Sequence, residues 1–346
     1  MKVAVFKGVK NIKLEERPDL KAETGEVIVK VKYCGICGTD VQSYVEPGRR
    51  SPNTVLGHEV VGTVAEIGEE VIGWKLGDRV LIGPPGSCGE CYYCRHGHFH
   101  ICTHALARTI GLTPNADGGM AEYVKVRDPQ NMLYSIPDTV SFEDAVLMDT
   151  IAVAFHGIRE SHFRIGDNVV VSGSGSIGLS AIQFLKIGGA KHITVLEPHQ
   201  KKREMALEFG ADMDFDPVTE GPDLQEKILS IYVGIGADIA FECAGVPDSF
   251  QTVLKLIKRQ GQVNLIGTTM QPSTVTHSQF VRNELELKGS FVYSADDICL
   301  CLDFLAQRRF NTKGMVSDII ALDDVVESGF ERLIRPNDFI KIIIAP

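Results

Sequence analysis

Apolar positions follow three different rhythms along the chain. Up to about residue 150 they fall in short β-rich segments, at 27–33, 58–67 and 78–82. Each is rich in Val and Ile and closed by turn residues. From 151 to 289 strand-like and helix-like patterns alternate. Val169-Val170-Val171 leads into a helical stretch reaching 185, 193–197 precedes a helix over 201–209, and 239–242 precedes one over 249–259 before a strand at 263–266. Such alternation predicts a parallel, doubly wound sheet. The tail, 290–346, predicts one helix near 296–307 and a final strand at 339–344. No internal repeat or low-complexity tract interrupts this order.

A chain of 346 residues is long enough for about two domains. Its 45 acidic against 35 basic side chains give a net charge of −10, which argues against nucleic acid or an anionic membrane as partner. The longest uncharged apolar stretch, 169–185, carries three glycines and four serines, so no spanning helix is expected. The first residues, Met-Lys-Val-Ala-Val-Phe-Lys, lack an apolar signal core. A cytoplasmic location follows as the expectation. Nine cysteines in that setting point to metal or redox chemistry rather than disulfides.

Gly173-Ser174-Gly175-Ser176-Ile177-Gly178 stands between a strand and a helix. The three glycines suit a tight turn, a close approach of backbone to pyrophosphate, and close helix–strand packing, with the amides of Ser176 and Ile177 at the helix N-terminus. Without its context the motif is weak, and a flexible Ser/Gly loop is its other reading. The next strand ends in Glu197, placed for ribose hydroxyls, and an acid there repels a 2′-phosphate. NAD is therefore expected over NADP, although Lys201, Lys202 and Arg203 lie close enough to offset the repulsion. Lys202 and Gly267 complete the expected cofactor set.

Two metal sites are expected. Cys88-x2-Cys91-x2-Cys94-x7-Cys102 brings four thiolates together, and a closed shell of four sulfurs fits structural zinc, with an iron–sulfur cluster the weaker option. His96, His98, His100 and His104 in the same loop read as solvated residues. The second site is dispersed: Cys37 in Gly-Ile-Cys-Gly-Thr-Asp, and His58 and Glu59 in Gly-His-Glu. Three such ligands leave a fourth zinc position for water or substrate, the mark of a catalytic ion. Taken alone, these residues are a weak signal, since a His-Glu pair is more often a hydrogen-bonded structural pair and a buried cysteine more often packing.

In order and interval, these motifs together resemble the zinc-containing medium-chain alcohol dehydrogenases, and within them the polyol branch of sorbitol, butanediol, sugar-alcohol and threonine dehydrogenases. The likeness spans essentially the whole chain. It implies an α/β protein: a β-rich GroES-like catalytic domain over 1–150 and 290–346, with a structural zinc lobe at about 85–105, and an NAD-binding Rossmann domain over 151–289. It also implies two Zn2+ per chain and a homodimer or homotetramer, with both reactants held between the domains.

Residue by residue, the resemblance makes Cys37 and His58 ligands of catalytic zinc, with Glu59 the third ligand or a close carboxylate. Asp149 falls where relatives carry an acid on or just behind the ion; a helix cap is its other reading. Thr39 takes the substrate proton, and Glu197 matches the ribose-binding acid. Tyr44, with Glu46, is expected to line the substrate pocket. One departure stands out: many relatives have a proton-relaying histidine where this chain has Gln42, which cannot titrate. The implied reaction is reversible oxidation of a secondary alcohol to a ketone with hydride transfer to NAD. Threonine-type amino-alcohol oxidation is the alternative within enzymes, and a non-catalytic nucleotide-binding protein the alternative outside them. Cys34, Cys243, Cys299 and Cys301 read as packing residues, and Trp74 as a loop anchor.

Overall fold

The structure, a computed structural model, describes residues 1–83 and 86–346; the expected lobe boundary at 85 lies outside the described residues. The chain divides into two compact units, Met1–Asp149 with Ser294–Pro346, and Thr150–Tyr293.

The first unit is built on a seven-stranded sheet. Its order is Val316–Ala321, Lys341–Ala345, Val27–Gly35, Glu59–Ile67, Arg79–Ile82 and Leu133–Ser135, with Tyr123–Val126 also paired to Val27–Gly35. Val27, Val29 and Val31 face inward while Lys30 and Lys32 face water, the period-two alternation of a half-buried strand. Val60, Val64, Val80 and Ile82 continue the same core. A small sheet of Asn11–Glu16, Lys2–Gly8 and Thr54–Val55 belongs to this unit. The tail holds more than its pattern predicts. Besides the helix Ala295–Ala306 and the strand Lys341–Ala345, it forms the strand Val316–Ala321 and three short helical turns, Leu322–Asp324, Val325–Phe330 and Glu331–Leu333. The Val-Ser-Asp-Ile-Ile-Ala segment alternates too weakly to signal a strand; pairing with Lys341–Ala345 stabilises it.

The second unit carries six parallel strands in the order Met213–Phe215, His192–Leu196, Asn168–Ser172, Ala237–Glu242, Ile257–Leu265 and Glu286–Gly289. In sequence terms this is 3-2-1-4-5-6, so the winding reverses beside Asn168–Ser172, where such sheets bind ligands at the carboxyl ends of their strands. Helix Ser176–Ile187 is buried from Gly178 to Leu185, which explains its apolar character on every side. The helix expected over 249–259 stops at Leu256, because Ile257 already belongs to the next strand.

Candidate functional site

The four lobe sulfurs converge. Cys91 Sγ lies 3.5 Å from Cys94 Sγ and 3.9 Å from Cys102 Sγ; Cys88 Sγ lies 3.5 Å from Cys102 Sγ and 3.9 Å from Cys94 Sγ. Zinc–sulfur bonds of about 2.3 Å in a tetrahedron place sulfurs about 3.8 Å apart. The spacing is thus that of a four-thiolate metal shell and far too long for disulfides. Backbone N–H groups of Cys91 and His104 donate to Cys88 Sγ and Cys102 Sγ, both at 3.3 Å. Amides of Cys94 and Thr103 pull the Cys91 thiol down to about 5, whereas burial and its sulfur neighbours push Cys94 up to about 12. Four thiolates cannot share this space unaided, and a dication resolves the conflict. His96, His98 and His104 are exposed and His100 half-buried.

Cys37, His58, Glu59 and Asp149 come together from three places in the first unit. Each offers one ligand atom, and all four atoms lie within 4.8 Å of one another. Cys37 caps the helix Gly38–Val45 in extended conformation, and Asp40, three residues on, accepts the Cys37 N–H at 3.3 Å. His58 and Glu59 open the strand Glu59–Ile67, whose register sets Glu59 opposite Gly35. A Cβ at Gly35 would sit 2.0 Å from Glu59 Oε2, so only glycine lets this carboxylate fold across the neighbouring strand. Asp149 sits in the first turn of helix Met148–Arg159. Burial opposes a charged imidazole, but Asp40, Cys37 and Asp149 outweigh it and push His58 up to about 10. The donor set of sulfur, nitrogen and two carboxylates calls for positive charge, and these residues fit zinc.

At the carboxyl edge of the parallel sheet, strand register sets Ser172 beside both Leu196 and Glu242, which aligns the turns that follow them. Gly173 has φ +89°, and a Cβ there would lie 2.9 Å from Ala244 backbone; one at Gly178 would meet the Gly173 carbonyl at 1.9 Å. Gly175, by contrast, faces open space. Its lack of a side chain serves nothing inside the unit, and an approaching pyrophosphate gives it a reason. Ser176 and Ile177 supply first-turn amides of the helix that Gly175 caps. Glu197 is buried, accepting Ser174 N–H at 2.9 Å through Oε2 and His199 N–H at 3.0 Å through Oε1. The Lys202 carbonyl accepts Ser174 Oγ at 3.2 Å. Gly267 N donates to the Glu242 carbonyl at 2.8 Å, two residues beyond its strand.

Residues 23–138 match the alcohol dehydrogenase GroES-like domain, and residues 176–307 the zinc-binding dehydrogenase domain. The chain is 31% identical to sorbitol dehydrogenase of Bacillus subtilis, over 100% of this chain and 97% of that one. It is 32% identical to (R,R)-butanediol dehydrogenase of the same organism, over 100% of both. The crystal structure of 2R,3R-butanediol dehydrogenase from Bacillus subtilis superimposes with a TM-score of 0.87 at 31% identity, covering 100% of this chain and 99% of that one. The chain belongs to the zinc-containing medium-chain alcohol dehydrogenase family, in its polyol branch.

As a medium-chain dehydrogenase it is an oxidoreductase of the alcohol/polyol class, and its two units carry the GroES-like and Rossmann architectures expected of the family. Among the described residues, no helix is long and apolar enough to cross a membrane. Tyr44, anticipated in the substrate pocket, is a core residue with 2% exposure; its ring packs 5.1 Å from that of Phe330 and its hydroxyl donates to Glu331 at 2.7 Å. It sits on the inward face of its helix, a side the local sequence does not reveal because Phe330 and Glu331 come from the tail. Glu46 is paired with Arg49. Thr39 is half-buried at the start of the helix, with its carbonyl accepting Ser43 Oγ at 2.7 Å.

Sequence reasoning missed two groups around this dehydrogenase centre. Lys341 donates to both oxygens of Glu59, at 2.7 and 2.8 Å. Asp40, wholly buried, accepts Arg50 at 2.6 Å and lies 3.7 Å from His58 Nδ1. Burial presses Lys341 toward neutrality, but Glu59 and Cys37 hold it above the ordinary lysine value. Burial likewise raises the Glu59 carboxyl, while Lys341 draws it back. No spacing rule could find Lys341; a polar residue opening an otherwise apolar terminal strand was the only hint.

Proposed function

We propose that the chain oxidises a secondary alcohol of a polyol, sugar alcohol or diol to a ketone, reversibly, with two Zn2+ and NAD. The convergence of Cys37, His58, Glu59 and Asp149 within 4.8 Å carries this reading. When bound, zinc acidifies the substrate hydroxyl and the nicotinamide accepts hydride. Cys37 and His58 hold the catalytic ion with one carboxylate, and the grip of Lys341 on Glu59 favours Asp149 for that place. Thr39 Oγ1 accepts the hydroxyl proton. Gln42 cannot titrate and so cannot pass it on, which leaves water or another group of the chain to carry the proton to solvent. Cys88, Cys91, Cys94 and Cys102 hold the structural ion.

Glu197 takes the adenosine ribose hydroxyls, beside Lys202. NAD is preferred over NADP for a local electrostatic reason. Of the three nearby cations, Arg203 is committed to Asp214 at 3.0 Å and Asp216 at 3.7 Å, and so cannot offset the charge of Glu197 on a 2′-phosphate. The names of the relatives favour polyol over threonine-type oxidation. A cytoplasmic homodimer or homotetramer, as the resemblance implies, completes the proposal. The test is NADH formation, followed by absorbance, across polyols, sugar alcohols, diols and threonine with both zinc sites filled. Strong turnover of a polyol or diol supports the reading. Turnover of threonine alone, or of nothing in the panel, overturns it.

A further inference from the structure

Arg50 lies in the stretch between the helix Gly38–Val45 and the strand Thr54–Val55, outside every motif that defines the site. Its guanidinium is nonetheless hidden, with 5% side-chain exposure, and donates to Asp40 Oδ1 at 2.6 Å, where Asp40 has none. The two oxygens of Asp40 thus each have a donor of their own. Oδ1 accepts Arg50, and Oδ2 accepts the Cys37 N–H at 3.3 Å. So held, the carboxylate cannot rotate, and Oδ2 faces His58 Nδ1 across 3.7 Å.

That distance closes to a hydrogen bond with a small movement of the ring. A carboxylate on one imidazole nitrogen sets the tautomer and directs the other nitrogen's lone pair outward, and such outer partners govern how tightly a histidine holds its metal. His58 Nδ1, on the Asp40 side, makes no hydrogen bond of its own, which leaves the other nitrogen to serve the cluster with Cys37, Glu59 and Asp149. A lysine at position 50 would keep the charge but replace the rigid guanidinium that reaches Asp40 Oδ1 with a compact ammonium on a flexible stem.

We infer that Arg50 is a positioning residue of the catalytic metal site, acting through Asp40 to orient His58 and so to set how firmly the ion is retained. The inference rests on the reading of Cys37, His58, Glu59 and Asp149 as the catalytic zinc site, and the test separates the two. Zinc release from the full-length, zinc-loaded chain into a colorimetric chelator should show two phases, one of which is missing in Cys37→Ser and belongs to the catalytic site. Arg50→Met should accelerate that phase by about 10- to 100-fold, the usual effect of losing an outer partner, and leave the lobe phase unchanged. Arg50→Lys should fall between, and it carries the test if Arg50→Met fails to fold. In the cobalt(II)-substituted protein the visible bands of the catalytic site should shift in Arg50→Met and partly return in Arg50→Lys. Placed on Asp40→Asn, Arg50→Met should add nothing further.

A wild-type chain without the phase missing in Cys37→Ser would defeat the zinc-site reading itself. A wild-type chain with that phase, beside Arg50 variants that release zinc at the wild-type rate, would overturn the role of Arg50 alone. So would full additivity with Asp40→Asn.

Discussion

Lys341 Nζ donates to both carboxylate oxygens of Glu59, at 2.7 and 2.8 Å, and both side chains are closed to solvent, with 3% and 0% exposure. A lysine from the tail therefore neutralises a carboxylate among the candidate zinc ligands. Removing one partner of a buried ion pair strands the other charge, at a cost of about 3–5 kcal/mol. In Lys341→Met the stranded group is Glu59, which can turn to the ion instead. The variant should lose about 3 kcal/mol of stability when stripped of zinc and much less when loaded. Denaturant unfolding of both chains, with zinc and with chelator, checks this; an equal loss in the two states would mean that Glu59 never engages the ion.

The two metal clusters predict opposite phenotypes. Cys37→Ser should retain the fold, lose one zinc per chain and lose turnover, because the thiolate that joins His58 and the carboxylates is gone. Circular dichroism, metal analysis and NADH formation measure the three. An active Cys37→Ser chain would remove the catalytic-zinc reading.

Cys91→Ser should also lose one zinc, but from a lobe of short turns whose order depends on its ion: Tyr92–Arg95, Phe99–Ile101 and Ala105–Arg108. Its melting temperature should fall by several degrees, while residual turnover below that temperature persists. An unchanged melting temperature with full metal content would contradict a structural role.

What the sequence reveals depends on how local the cause is. The inward valines of Val27–Gly35 and the glycine fingerprint after Ser172 are local, and both read directly. The four lobe cysteines declare themselves by short spacings, whereas Cys37 and His58 lie far apart in sequence and gain their reading from the company of the other motifs. Asp149 needed the resemblance, since one acid in a helix's first turn carries no chemistry of its own. Lys341 is 282 residues from Glu59, and their meeting depends on Ile343 and Ile344 pairing with Gly35 and Cys34. Tyr44 is a second long-range case: proximity to Thr39 in sequence suggests the pocket, while the groups that hold its side chain, Phe330 and Glu331, come from the tail.

Glu197 makes cofactor choice testable. Glu197→Gln keeps an acceptor for the Ser174 amide but removes the charge that repels a 2′-phosphate. The kcat/KM for NAD should fall about tenfold, equivalent to about 1.4 kcal/mol, while that for NADP rises. Steady-state kinetics with both cofactors decides; an unchanged NAD-to-NADP ratio would place selectivity on other residues.

Gly175 and Gly178, three residues apart, should respond differently to the same methyl group. At Gly178 an added Cβ would come within 1.9 Å of the Gly173 carbonyl, so Gly178→Ala must push the helix Ser176–Ile187 off its strand. Overpacking of this kind costs about 1–3 kcal/mol. Gly175→Ala meets nothing within 4 Å and has φ −69°, which alanine adopts freely. Its stability should match the parent. Its methyl would instead stand where the pyrophosphate must approach backbone, so KM for NAD should rise about tenfold or more, a loss of at least about 1.4 kcal/mol in cofactor binding. Thermal melting of the two cofactor-free variants, beside NAD titration of each, separates a packing glycine from a binding one. Were Gly175→Ala to bind NAD like the parent, the loop it occupies would not be the phosphate cradle.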